Sequence, residues 1–210
     1  VKPRLRGRSH QFAAIGAVTA GVVLVAMTTT PLAAIASGVY AVTLALMFGI
    51  SALYHRIDWD PVKRARMRRL DHAAIFLIIA GTYTPLALLA IGGAAGRRLL
   101  VFAWTGALAG MLQSTLWVQA PRAVTVVLYC GLGWLGVAFY GDLRAEVGTA
   151  QLMLLLAGGV LYTAGAIIYA LRRPDPRPAV FGYHEIFHAL TIAASMCHFA
   201  VVILVVRASR

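Results

Sequence analysis

The sequence contains no Asn, and only 12% of its 210 residues are charged, about half of the roughly 25% usual in a soluble domain. Without Asn there is no N-glycosylation acceptor. Only two cysteines are present, Cys130 and Cys197, each inside an apolar run, which excludes a disulfide framework and a Cys-type zinc ribbon. Acidic residues number seven against nineteen Lys and Arg, and the only lysines are Lys2 and Lys63. A retinal protein, which needs a Schiff-base lysine within a span, is therefore excluded. Against these shortages stand 60% hydrophobic residues and a mean hydropathy of +0.80. Such a chain is neither disordered nor soluble; it reads as an integral membrane protein.

The net charge of +12 would suggest nucleic acid in a soluble protein. Here the basic residues sit in short connections between apolar stretches, where membrane topology already calls for them. Membrane lipids, with anionic headgroups beside these loops, are the expected partners, and nucleic acid is not.

A helix that crosses the hydrocarbon core needs about 20 apolar residues. Seven stretches qualify: about 11–28, 32–55, 72–91, 98–117, 122–141, 149–171 and 184–206. The chain is thus predicted to be all-α, a seven-transmembrane-helix bundle, with residues 1–210 as a single membrane domain. A cleaved signal peptide over the first span is the rival reading, from its basic start and Ala34-Ile35-Ala36; its apolar run is long for that role. Fourteen Lys and Arg fall on the side of the N-terminus and five on the other. The positive-inside rule then puts the N-terminus in the cytoplasm and the C-terminus outside, the reverse of a G-protein-coupled receptor.

Ionisable residues at membrane depth are costly and are functional candidates by default. Of six histidines, only His10 reads as lying outside the spans. His55 ends the second span, Asp71 opens the third, and His184 and His188 occupy the start of the seventh, so all four share one depth at the cytoplasmic end. His184 and His188 are four residues apart, about 6 Å along one helix face; Ser51 and His55 repeat that spacing. Three converging imidazoles beside a carboxylate suit zinc, which in catalytic sites takes three protein ligands and leaves one position open. The bland alternative is a set of separate interfacial histidines, each hydrogen-bonded locally.

Ser51-Ala-Leu-Tyr-His55, Arg69-Leu-Asp71-His72, Gly81-Thr-Tyr-Thr-Pro85, His184-Glu-Ile-Phe-His188 and His198-Phe199 together resemble the bacterial hemolysin III family. That family is grouped with the progestin and adipoQ receptors and the alkaline ceramidases. The resemblance covers nearly the whole chain. It implies seven spans with a cytoplasmic N-terminus, zinc bound by His55, His184 and His188, and Asp71 and Ser51 as the polar shell beside it. It also suggests the inner plasma membrane of a bacterium. Functions named in the family range over receptor, lipid amidase, cytolysin and membrane homeostasis.

The leading expectation is a zinc-dependent hydrolase of an acyl-lipid amide or ester, with Asp71 as proton acceptor and donor and Ser51 as hydrogen-bond partner. A non-enzymatic protein with a structural zinc site is the alternative, whether receptor-like, homeostatic or cytolytic. The third reading is an intramembrane protease, because His184-Glu185-Ile-Phe-His188 fits H-E-x-x-H with Glu185 as base. Gly131-Leu-Gly-Trp-Leu-Gly136 fits a dinucleotide fingerprint but has no preceding strand; close helix packing is expected there, as at Gly106 and Gly110. Pro85 should kink the third span. His72 reads as an interfacial hydrogen-bond partner. His198, about 15 Å deeper than His188, reads as a satisfied or cavity-lining histidine.

Overall fold

The computed structural model describes residues 3–117 and 119–209, with the side chain of Arg122 undescribed. Lys2 and Arg210, both counted in the charge asymmetry, lie outside the described residues. Among the described residues eight α-helical segments follow one another: α1 Arg8–Ala26, α2 Pro31–Arg56, α3 Pro61–Pro85, α4 Gly93–Leu116, α5 Arg122–Gly133, α6 Tyr140–Glu146, α7 Thr149–Leu171 and α8 Tyr183–Ala208. Among the described residues there is no strand, only one isolated bridge between Arg177 and Phe181. Within these residues seven helical stretches are long and apolar enough to cross a membrane, the fifth being α5 and α6 joined through a 3-10 turn at Trp134–Phe139. The chain is an all-α membrane protein.

Helix starts follow local chemistry. Thr30 Oγ1 accepts from the Ala33 N–H at 3.2 Å with Pro31 in the first turn, which fixes the entry to α2. Asp60 does the same for α3, accepting from Val62 and Lys63 N–H at 3.1 and 2.9 Å. The Lys63 N–H and then its ammonium hold this exposed carboxyl below the usual range. Because Asp60 and Pro61 start α3 so early, the helix begins eleven residues before 72 and carries Lys63, Arg64, Arg66, Arg68 and Arg69 on its leading turns.

At the far end of α3, Pro85 lacks an N–H, and the helix widens into a π-helical stretch, Leu86–Ile91, rather than simply bending. Gly92 and Gly93, with φ of 63° and 53°, then turn the chain into α4. The break in the fifth span has a different basis from the close packing expected of its glycines. A Cβ at Gly131 or Gly133 would meet nothing within 4 Å. Instead the Tyr83 hydroxyl donates to the Gly133 carbonyl at 2.6 Å and accepts from the Gly136 N–H at 2.8 Å. Gly106 and Gly110 do mark close approach: a Cβ at Gly110 would lie 2.2 Å from the Phe76 ring.

Successive helices pack as antiparallel neighbours, and α8 also touches α1, α2 and α3. One core gathers Leu24, Tyr40, Met47, Phe48, Val202 and Val206 from α1, α2 and α8; another gathers Phe76, Tyr83, Leu86, Leu99 and Phe139. The outer faces remain apolar, with Phe12, Leu116 and Met196 each more than two-thirds exposed. In water such faces would be a liability; in a bilayer they meet lipid. Alternation of the spans puts the start of α1, the 57–60 turn, the start of α5 and the 172–182 loop at one end.

Candidate functional site

At that end, α2 delivers His55 from its last turn and α8 delivers His184 and His188 from its first two. All three are buried. Each offers a ring nitrogen, and these nitrogens lie within 4.8 Å of one another, a group that could hold a metal ion. Nε2 of His184 and Nε2 of His55 stand 3.1 Å apart, and the His188 ring lies 4.5 and 5.0 Å from those of His184 and His55, centroid to centroid. The Nδ1 atom of His188 is buried with no hydrogen-bond partner. Burying such a nitrogen unsatisfied is costly, and a cation at the focus of the three rings would relieve that cost. Three neutral imidazoles are a donor set that zinc accepts readily, and the residues fit such an ion.

Asp71 enters from α3, with Oδ2 3.9 Å from His55 Nε2. The buried hydroxyl of Ser51, one turn before His55 on α2, donates a hydrogen bond to this carboxylate. The structure therefore brings together His55, His184, His188, Asp71 and Ser51, which the sequence spreads over 138 positions.

Two histidines stand apart. His198 lines a cavity in the bundle and sits 3.3 Å from the Leu155 carbonyl through Nε2; His72 is half-buried beside Asp71. Glu185, the acid of the H-E-x-x-H pattern, is buried and engaged at both oxygens. Oε1 pairs with Arg6, and Oε2 accepts from the Gly182 N–H at 2.9 Å.

The reading of His10 needs correction. It is the third residue of α1, is only 2% exposed, and stacks on His188 with ring centroids 3.7 Å apart and planes 10° from parallel. The basic residues before it made the sequence look like an extramembrane tail. A histidine two residues after Arg8, at the very start of the apolar run, was the available signal.

One turn deeper than these polar residues lies an apolar cavity of about 160 Å³. Met47, Ile75 and Thr191 line it, respectively one turn from Ser51, Asp71 and His188. Val137, Tyr140 and Leu156 line it as well and are exposed on the outer face, so the cavity reaches the lipid-facing surface between the fifth span and α7.

The chain is similar to known proteins over most of its length. The haemolysin-III related family matches residues 1–199. The chain is 32% identical over 194 residues to Hemolysin-3 of Bacillus cereus, covering 91% of this chain and 85% of that one. It is 31% identical over 161 residues to the Hemolysin-3 homolog of Bacillus subtilis, with 77% and 72% covered. A more distant likeness, 27% over 180 residues, joins it to the adiponectin receptor protein of Drosophila melanogaster, of which it covers 40%. With nearly its full length matched, the chain belongs to the haemolysin-III related family.

Proposed function

We propose that this protein is a zinc-dependent integral membrane hydrolase that cleaves an acyl-lipid amide or ester. The carrying observation is the buried triad of imidazoles within 4.8 Å of one another, with the Asp71 carboxylate at its edge. His55, His184 and His188 would hold the ion. Zinc there would supply Lewis acidity and a water of lowered pKa.

The remaining chemistry belongs to the chain. Asp71 takes a proton from the attacking water and delivers it to the leaving amine or alcohol. Ser51 holds the Asp71 carboxylate in place through its hydroxyl. The apolar cavity beneath receives the acyl chain, which enters from the bilayer between the fifth span and α7 and so never crosses water. Orientation follows from the charge asymmetry: N-terminus and metal centre in the cytoplasm, C-terminus outside, in the inner plasma membrane of a bacterium.

A second reading has one observation in its favour. Asp71, 3.9 Å from His55, stands where a fourth protein ligand would close the site and make it structural. The chain would then be a receptor-like, homeostatic or cytolytic protein, and the name Hemolysin-3 carried by the Bacillus cereus relative fits the last of these. The protease reading is disfavoured by Glu185, whose two oxygens are already committed.

Metal content per chain, measured on detergent-purified wild type beside His188→Ala, tests the reading. About one zinc in wild type and little in the variant is expected, followed by release of fatty acid from acyl-amide or acyl-ester lipids. A metal-free wild type after zinc supplementation would sink the metallohydrolase. One tightly held zinc with no hydrolysis across both lipid classes would favour the structural site.

A further inference from the structure

Residues 4–10 cross the end of the bundle and touch every element that carries a histidine of the cluster. The N–H groups of Arg4 and Leu5 donate to the carbonyls of Ala179 and Val180, at 3.0 and 3.3 Å, in the loop that leads into α8. Arg6 pairs with Glu185 in the first turn of α8. Gly7 turns the chain with φ of 76°, a conformation that costs glycine little and other residues much. It also lies so close to α2 that a Cβ there would stand 2.7 Å from the Cβ of His55. Three residues later His10 places its ring flat on His188, with Phe48 edge-on to it at 5.0 Å.

Packing alone does not account for a histidine at position 10. Both ring nitrogens are buried without a well-formed hydrogen bond, and the polar interaction His10 does make is with the backbone of His188. An apolar ring would fill the space without that cost. The ring it covers has an unusual need. Metal-ligating imidazoles are ordinarily held by an acceptor on the second nitrogen. At His188 the Nδ1 atom makes no hydrogen bond among the described residues, and the flat face of His10 lies against the ring instead. The contact with His10 is the one parallel face on that ring, the rings of His184, His55 and Phe187 meeting it at a tilt.

We propose that residues 4–10 form a strap that closes the metal centre at this end of the bundle. His10 is its positioning residue, setting the plane of the ligand His188 and slowing metal exchange. This rests on the metal reading above. The cavity on the other side of the cluster is apolar, and a hydrated ion does not cross it.

The test is the rate at which zinc-loaded, detergent-purified protein loses metal to excess chelator, followed with a zinc-responsive dye. His10→Ala should lose zinc about tenfold faster than wild type, within the 10–100-fold range typical of residues that orient metal ligands. His10→Phe, which keeps a ring face, should stay within about threefold, and Arg6→Gln should fall between. Arg6→Gln changes no side chain of the histidine cluster, so it decides the matter if His10→Ala does not fold. Wild-type rates in both His10→Ala and Arg6→Gln would overturn the strap. Equally fast loss from His10→Ala and His10→Phe would overturn the stacking role and assign the effect to the ring nitrogens. A wild type that takes up no zinc would instead remove the metal reading itself.

Discussion

Arg6 and Glu185, 179 residues apart in the chain, form an ion pair at the end of the bundle that holds the histidine cluster. Glu185 is 3% exposed and Arg6 20%, so neither charge is well hydrated. Removing one partner of such a pair typically costs about 3–5 kcal/mol, mostly from the charge left behind.

Glu185→Gln should therefore lower thermal stability in detergent, while turnover per folded molecule, assayed with zinc in the buffer, stays within a few-fold of wild type. A general base could not be replaced so cheaply. Complete loss of hydrolysis in a folded, zinc-loaded Glu185→Gln protein would restore Glu185 to the chemistry and revive the protease reading.

Asp71 carries the opposite expectation. Asp71→Asn keeps size and hydrogen-bonding capacity but removes the proton acceptor, and turnover should fall by about 10²–10⁴-fold with zinc retained. Ser51→Ala, which removes only the hydroxyl behind the carboxylate, should cost less than Asp71→Asn. Undiminished turnover in Asp71→Asn would take the proton transfer away from this residue; loss of zinc in the same variant would make Asp71 a ligand and the site a closed one.

Ile79 lines the apolar cavity and is not among the polar residues of the site. Ile79→Trp should fill part of the 160 Å³ and raise KM for long-chain substrates while leaving zinc content and short-chain turnover near wild type. A chain-length profile measured on a series of acyl amides checks this. An unchanged profile would show that the acyl chain lies elsewhere.

Two glycines give a matched pair. Gly110→Ala drives a methyl into the buried Phe76 ring and should cost about 1–3 kcal/mol in unfolding from detergent. Gly131→Ala meets open space and should be neutral or stabilising by up to about 1 kcal/mol through helix propensity. Equal losses at both positions would mean that α5 is packed more tightly than its surroundings indicate.

The membrane class, the seven helices and the convergence of His55, His184 and His188 were legible because each rests on a periodicity or a shared depth. Hydropathy marks the spans, alternation assigns their ends, and the four-residue spacing of His184 and His188 assigns a face. His10 was not legible, since its burial depends on the chain folding back over α8, and no local pattern encodes a contact with His188, 178 residues away. The π-helical turn after Pro85 was half legible: proline announces a disturbance, but whether a helix bends or widens depends on what packs against it. Gly131 and Gly133 misled because a small residue signals either close approach or simple absence of a side chain, and only the neighbouring spans decide which.

The bond between Tyr83 and the fifth span has a mechanical consequence. Between Gly133 and Gly136 the helix hands two of its own backbone groups to a phenol on another span. In hydrocarbon no solvent can take that phenol's place, and each group left unpaired costs several kcal/mol. The outer wall of the cavity is thus pinned near its middle, while the stretches on either side carry few buried residues to hold them. It behaves as a flap riveted near its middle, to Tyr83 on one side and through the Trp134 indole N–H to Thr163 Oγ1 at 3.0 Å on the other.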